Sequence, residues 1–203
     1  MTITFETPLV AKVKPLAYTN KCNIVLIGGK AGVGKTTSAR RILMKLEEER
    51  GLLFYLTAFA HPIKQIAEEH FGWDGKKDEK GRRLLQVLGA DAGRAYDQDL
   101  WVKKLENRIL EEVFYPYNFV IVDDWRYPNE AEYFKANPFY DVTTIRIIRK
   151  TSLDNELLAS HESENSLLNY KSDFEVDNNE TLEILENKLD SIVGYLNSKI
   201  IMY

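Results

Sequence analysis

Gly29-Lys30-Ala31-Gly32-Val33-Gly34-Lys35-Thr36 is the stretch on which the reading of this chain turns. It follows Asn23–Ile27, a short apolar run of strand character, and leads at once into Ala39, Ile42, Leu43 and Leu46, which repeat at helical spacing up to Gly51. Strand, G-x-x-x-x-G-K-S/T loop and helix in that order make a phosphate-binding P-loop. The spacing has a physical reason: glycines let successive backbone N–H groups turn toward a polyphosphate, and the helix N-terminus adds the positive end of its dipole. Gly29, Ala31, Gly32, Val33, Gly34, Lys35, Thr36 and Thr37 are therefore expected to bind a nucleotide. Lys35 would reach the β and γ phosphates, and the Thr36 hydroxyl is placed to ligate Mg²⁺.

Outward from the loop, short runs rich in β-branched residues alternate with stretches of helical spacing, the pattern of an α/β fold with a parallel sheet. Five strands are expected, at Asn23–Ile27, Leu53–Thr57, Phe119–Asp123, Thr143–Ile148 and Phe174–Val176. The first and third are continuously apolar, as strands buried on both faces are. Helical patterns cover Ile63–His70, Leu84–Leu88 and Trp101–Val113, and Leu182, Leu185, Leu189, Ile192, Val193 and Leu196 form one stripe within a closing helix over Glu180–Asn197. The hydrophilic stretch Asp74–Arg83 reads as a loop, and residues 1–20 show no pattern.

With 203 residues, 44% apolar and 29% charged, the chain has the size and composition of one globular domain with room for a mobile insertion. Its 27 basic against 31 acidic residues leave a net charge of −4, no footprint for gripping a nucleic-acid polymer. The lone Cys22 is expected to pack as a small apolar residue in a reducing cytoplasm. No apolar run approaches the roughly 18 residues of a membrane span, and Lys12, Lys14 and Pro15 break up the first twenty positions, so no membrane partner and a cytoplasmic location are expected.

Phe119-Val-Ile-Val-Asp123-Asp124 places two carboxylates at the end of a buried strand, where one of them can complete a magnesium shell through water. The strand-end position favours Asp123; an acidic strand-to-loop cap is the structural alternative for either. Two further matches fail on context. Asn187-Lys188-Leu189-Asp190 has the guanine-reading N-K-x-D spacing but lies inside the last amphipathic stripe, and Asp78-Glu-Lys-Gly81 has the D-x-x-G spacing with no apolar strand before it.

Five segments resemble the deoxynucleoside monophosphate kinases of bacteriophages and their bacterial relatives, a branch of the P-loop nucleoside monophosphate kinases. These are the P-loop; Phe59-Ala-His-Pro-Ile-Lys64; Leu85-Gln86-Val-Leu-Gly89 through Gly93-Arg94 to Asp99-Leu-Trp101-Val102; Asp124-Trp-Arg126-Tyr-Pro-Asn129-Glu130-Ala-Glu132; and His161-Glu-Ser163-Glu164. With Asp177-Asn178 the resemblance runs from about Asn23 to the C-terminus. It implies a P-loop three-layer sandwich with strand order 2-3-1-4-5, an acceptor-binding helical region at about 60–113, and a lid at about 149–168. It also implies transfer of the γ-phosphoryl of ATP, with Mg²⁺, to a deoxynucleoside 5′-monophosphate. The family's spacing to Arg126 favours Asp124 as the magnesium carboxylate.

The chemistry agrees, because a nucleotide 5′-phosphate is already largely dianionic at pH 7 and needs its charge neutralised rather than a general base. Arginine is the side chain for that task. Arg94 is suited to clamp the acceptor phosphate, Arg126 to project from the carboxyl end of the sheet, and Arg149 to close on the transferring phosphoryl from the start of the lid. Each has a solvated or ion-paired alternative, as does Arg146, and Arg82 and Arg83 read as solvated. Gln86 can pair with a base edge or face water; Lys64, near the acceptor phosphate in relatives, can equally face solvent. Trp101 reads as core with partial contact to the acceptor pocket. Glu130 and Asn129 either meet substrate or cap a helix, Asn178 either lies by the adenine or caps one, and His161 and Glu164 either order the lid or lie in a plain loop. The alternatives in function are a P-loop kinase of another acceptor, such as phosphomevalonate or dephospho-coenzyme A, and a P-loop nucleotide-binding protein with no acceptor. A homodimer is left open.

Overall fold

In a computed structural model that describes residues 21–50, 54–112, 119–150 and 165–199, five parallel strands form one sheet in the order β2-β3-β1-β4-β5. The strands are β1 (Cys22–Gly28), β2 (Phe54–Thr57), β3 (Phe119–Trp125), β4 (Tyr140–Ile148) and β5 (Phe174–Asp177). All five expected strands are present. The strand periodicity of two then sorts the apolar runs between two cores. On one face Val25 and Ile27 of β1 and Phe119 and Ile121 of β3 pack with Ala39, Ile42 and Leu46 of α1 (Lys35–Arg50). The closing helix, Leu182–Ser198, covers the same face with Leu185, Leu189, Ile192, Val193 and Leu196. On the other face Ile24, Leu26, Val120 and Val122 pack with Val102, Leu105 and Ile109 of the helix Leu100–Glu112, and with Ala131 and Phe134 of the helix Pro128–Ala136. Three layers result, and β1 and β3 are buried on both sides.

In chain order the helices are α1, α2 (His61–Phe71), α3 (Glu79–Gln86), α4 (Leu100–Glu112), α5 (Pro128–Ala136) and α6 (Leu182–Ser198), with a π-helical segment, Val87–Arg94, between α3 and α4. Pro62 opens α2, and Gly72, with φ 64°, closes it in the left-handed region. The stretch expected to be a loop, Asp74–Arg83, is helical from Glu79 onward. Asp78 caps α3 by accepting from the Gly81 N–H at 2.8 Å, and Gly81 is not a loop glycine. A Cβ there would lie 2.1 Å from the Lys76 carbonyl oxygen and 2.6 Å from the Trp73 indole nitrogen. Close approach, not backbone freedom, requires this glycine.

The π-helical segment was not expected from the sequence. The indole of Trp101 sits against Gly93, where a Cβ would come within 2.3 Å of the ring, and its Nε1 donates to the Gly89 carbonyl at 2.7 Å. The widened turn makes room for a large side chain between this segment and α4, and such turns recur at functional sites. The two failed motif matches also have their places: Asn187–Asp190 lies within α6, and Asp78 is the α3 cap. Residues 1–20, Gly51, Leu53, Val113 and most of the expected lid, with His161 and Glu164, lie outside the described residues. Among the described residues no helix is long and apolar enough to cross a membrane.

Candidate active site

The sheet order places β1 between β3 and β4, so the loop after β1 opens at the carboxyl edge where the winding direction reverses, the ligand crevice of open α/β sheets. Gly29, Gly32 and Gly34 have φ of 136°, 75° and 101°, and no non-glycine residue among those described has a positive φ. The loop is held from beneath. Val33 is buried, and the Asn178 amide donates to its carbonyl oxygen at 2.9 Å from the end of β5. A Cβ on Gly34 would meet that amide at 2.6 Å. Asn178 thus braces the loop and is itself buried, as its sequence position at the end of β5 does not reveal. Lys35 Nζ donates to the carbonyl oxygens of Gly29 at 2.8 Å and Lys30 at 2.7 Å, which folds the ammonium over the loop.

Between Leu26 and Gly28 the register of β1 on β3 shifts: Leu26 pairs with Val122 and Gly28 with Trp125, so β3 carries one extra residue at Asp123 and Asp124. The two neighbouring carboxylates serve different partners. Asp123 accepts from the Thr36 hydroxyl at 2.6 Å. Asp124 accepts from the N–H groups of Phe59 at 2.8 Å and Ala60 at 3.0 Å, pinning the chain where it enters α2. Burial pushes the Asp124 carboxyl up, against the pull of those two N–H groups, and Asp123 nearby raises it further.

Facing these groups across a cavity of about 780 Å³ is the π-helical segment with the N-terminus of α5. Arg94 ends the π-helical segment, donates to the Gln98 carbonyl at 3.3 Å, pairs with Glu130 and lies over the Tyr127 ring, 3.7 Å from its centroid. Glu130 is 1% exposed. Its other oxygen accepts from the N–H groups of Arg126 at 2.9 Å and Tyr127 at 3.1 Å, so it closes the first turn of α5 and anchors Arg94 at once. Burial pushes its carboxyl from 4.5 up to about 7, with Arg94 and the two N–H groups pulling the other way. Asn129 donates to Asp99 at 2.8 Å and to the Gln98 carbonyl at 3.1 Å, tying α5 to the turn before α4.

Of the residues singled out in the sequence, Ala31, Gly32, Gly34, Lys35, Thr36 and Thr37 line the cavity on the loop side. Lys64, Gln86, Arg94, Trp101, Asp123, Asp124, Arg126 and Glu130 line it elsewhere. Gly29 and Val33 shape the loop from behind. Arg149 is exposed just past β4 and is not among the lining residues. Arg146 is held within the fold, donating to the carbonyls of Leu167 at 2.6 Å and Leu168 at 2.9 Å and pairing with Glu175. Trp101 is 5% exposed, in keeping with the core reading. Arg82, read as solvated, lines the cavity together with Lys77 and Tyr127, which the sequence did not single out. A signal existed for Arg82 alone, since it stands four residues before Gln86 on one helix face.

Residues 73–189, more than half of the chain, match the family described as "Deoxynucleotide monophosphate kinase". The chain is 24% identical over 184 residues to an uncharacterized protein, ORF77, of Ictalurid herpesvirus 1 (strain Auburn), covering 88% of this chain and 73% of that protein. Among solved structures it is similar to that of APE1195, at a TM-score of 0.47 and 15% identity, covering 88% of this chain and 97% of the other. It is also similar to shikimate kinase from Acinetobacter baumannii in complex with shikimate, at a TM-score of 0.44 and 15% identity, covering 92% and 98%.

Proposed function

The chain belongs to the deoxynucleotide monophosphate kinase family, and we propose that it transfers the γ-phosphoryl of ATP to the 5′-phosphate of a deoxynucleoside monophosphate, giving the diphosphate and ADP. It is a phosphotransferase on small molecules. The observation that carries the finer reading is the layout of one cavity: the P-loop and the Thr36–Asp123 pair on one wall, and an arginine already fixed in place on the other.

The residues divide the work as follows. The loop N–H groups and Lys35 receive the donor phosphates, Lys35 exchanging its loop carbonyls for phosphate oxygens. Thr36 and Asp123 are two hard oxygen donors within 2.6 Å of each other, which suits Mg²⁺, an ion that keeps its remaining positions for water and phosphate. Bound there, the ion supplies positive charge to the β and γ oxygens. Arg94 binds the acceptor phosphate, and Arg126, whose backbone shares Glu130 with it, meets the transferring group. Both arginines reduce the repulsion between two polyanions, the main barrier to bringing them in line.

Asp124 stands outside this set in our reading, as the anchor of the α2 entrance rather than a metal ligand. Gln86 and Lys64 contact the acceptor, and Arg149 belongs to a lid at about 149–168 within one kinase domain. We place the chain in the cytoplasm, a setting with which the free thiol of Cys22 is compatible. ADP formation from ATP measured with and without each deoxynucleoside monophosphate tests the proposal, and ADP release that ignores every acceptor would leave only nucleotide hydrolysis.

A further inference from the structure

Arginine has a long side chain, and fixing it costs rotamer entropy that a binding event must otherwise supply. Arg94 meets that cost in folding. Its side chain is 14% exposed, one terminal nitrogen is paired with Glu130, the other donates to the Gln98 carbonyl, and the flat group rests on the Tyr127 ring at 3.7 Å. The ring is itself held. The Tyr127 N–H donates to Glu130, its carbonyl accepts from the Trp125 indole at 2.8 Å, and Pro128 confines Tyr127 to extended backbone.

From this geometry we infer that Tyr127 is a positioning residue, whose ring face holds the Arg94 guanidinium in the orientation that receives the acceptor phosphate. The inference rests on the reading of Arg94 as the acceptor clamp. Three of the five guanidinium N–H groups remain after the contacts to Glu130 and Gln98, and Arg94 and Tyr127 both line the cavity. The negative face of the ring attracts the cation from below without using a hydrogen-bond donor, leaving those donors for phosphate oxygens. Glu130 and the Gln98 carbonyl hold the two terminal nitrogens but leave the plane free to tilt about the line between them. Ring and carboxylate together set both its tilt and its rotation, the preorganisation that lowers the entropy cost of binding.

Steady-state kinetics on the full chain test this. Tyr127→Leu is expected to raise the KM for the deoxynucleoside monophosphate about tenfold while the KM for ATP stays near wild type. Tyr127→Phe, which keeps the ring face, restores most of that loss, and Tyr127→Met, a fuller side chain without a ring, behaves like the leucine variant should leucine fold poorly. In an Arg94→Ala background Tyr127→Leu adds nothing further. An additive effect in that background, or equal losses for the phenylalanine and leucine variants, overturns the inference. An acceptor KM unmoved by Arg94→Ala would instead overturn the clamp reading beneath it.

Discussion

Thr36 and Asp123 stand 87 positions apart in the chain, and the threonine hydroxyl donates to the aspartate at 2.6 Å. The contact joins the first turn of α1 to the carboxyl end of β3, and it depends on the extra residue in β3 that turns Asp123 toward the P-loop and leaves Asp124 facing α2. The two aspartates should therefore fail differently. Asp123→Asn is expected to lower kcat about 10²–10³-fold with the unfolding midpoint near wild type, the scale of losing a preorganised electrostatic group.

Asp124→Asn should instead cost about 1–3 kcal/mol of stability, since each of its two oxygens accepts one buried backbone N–H and the asparagine amide leaves one of those N–H groups facing an NH₂. Thermal unfolding beside initial rates separates the two variants. A reversed pattern would move the metal to Asp124, as the family spacing to Arg126 suggested.

Lys35 sits at the mouth of the loop with its ammonium on the Gly29 and Lys30 carbonyls. In the proposed mechanism Lys35→Ala removes a charge offered to the transferring phosphates, so kcat is expected to fall about 10³-fold while the fold survives, because α1 remains packed through Ala39, Ile42 and Leu46. Circular dichroism with a turnover assay checks both halves. Near-wild-type turnover would remove Lys35 from the site.

Glu130 makes stability depend on pH in a stated direction. Its folded carboxyl is pushed up to about 7 from 4.5, so the folded chain holds this proton more tightly than the unfolded one. The contribution is fully present below about 4.5 and is lost as pH rises to about 7, beyond which it is flat. Urea unfolding of wild type and Glu130→Gln across that window should show the wild type losing ground to the variant with rising pH. A difference that does not change with pH would show that Arg94 keeps Glu130 ionised throughout.

Gly93 lies against the Trp101 indole, where a Cβ would come within 2.3 Å. Gly93→Ala must push the indole or the π-helical segment aside, costing about 1–3 kcal/mol, and because Arg94 is the next residue the acceptor KM should rise with it. Unfolding midpoint and acceptor KM measured together test whether the two move in step.

The parts legible in the sequence are those whose chemistry is local. The P-loop is eight consecutive residues, and β1, β3 and α6 each carry their burial pattern within one segment, so their places follow from period alone. Asp74–Arg83 misled because polar composition and a glycine signal a loop, whereas Asp78 and Gly81 together build a helix start. Which of Asp123 and Asp124 meets Thr36 depends on the register of β1 on β3, a non-local property. Arg94 and Tyr127 lie 33 positions apart on different elements, and no spacing rule joins them. Asn178 has a sequence suited to a cap, yet the fold places its amide under the P-loop.

The central claim is that a phosphoryl group crosses this cavity from ATP to a nucleotide. Incubating the protein with γ-labelled ATP, Mg²⁺ and a panel of deoxynucleoside monophosphates, with ribonucleotides and phosphomevalonate alongside, and separating the products tests it most directly. The account predicts label in one or more deoxynucleoside diphosphates. Label confined to inorganic phosphate, or appearing only in another acceptor, would contradict it.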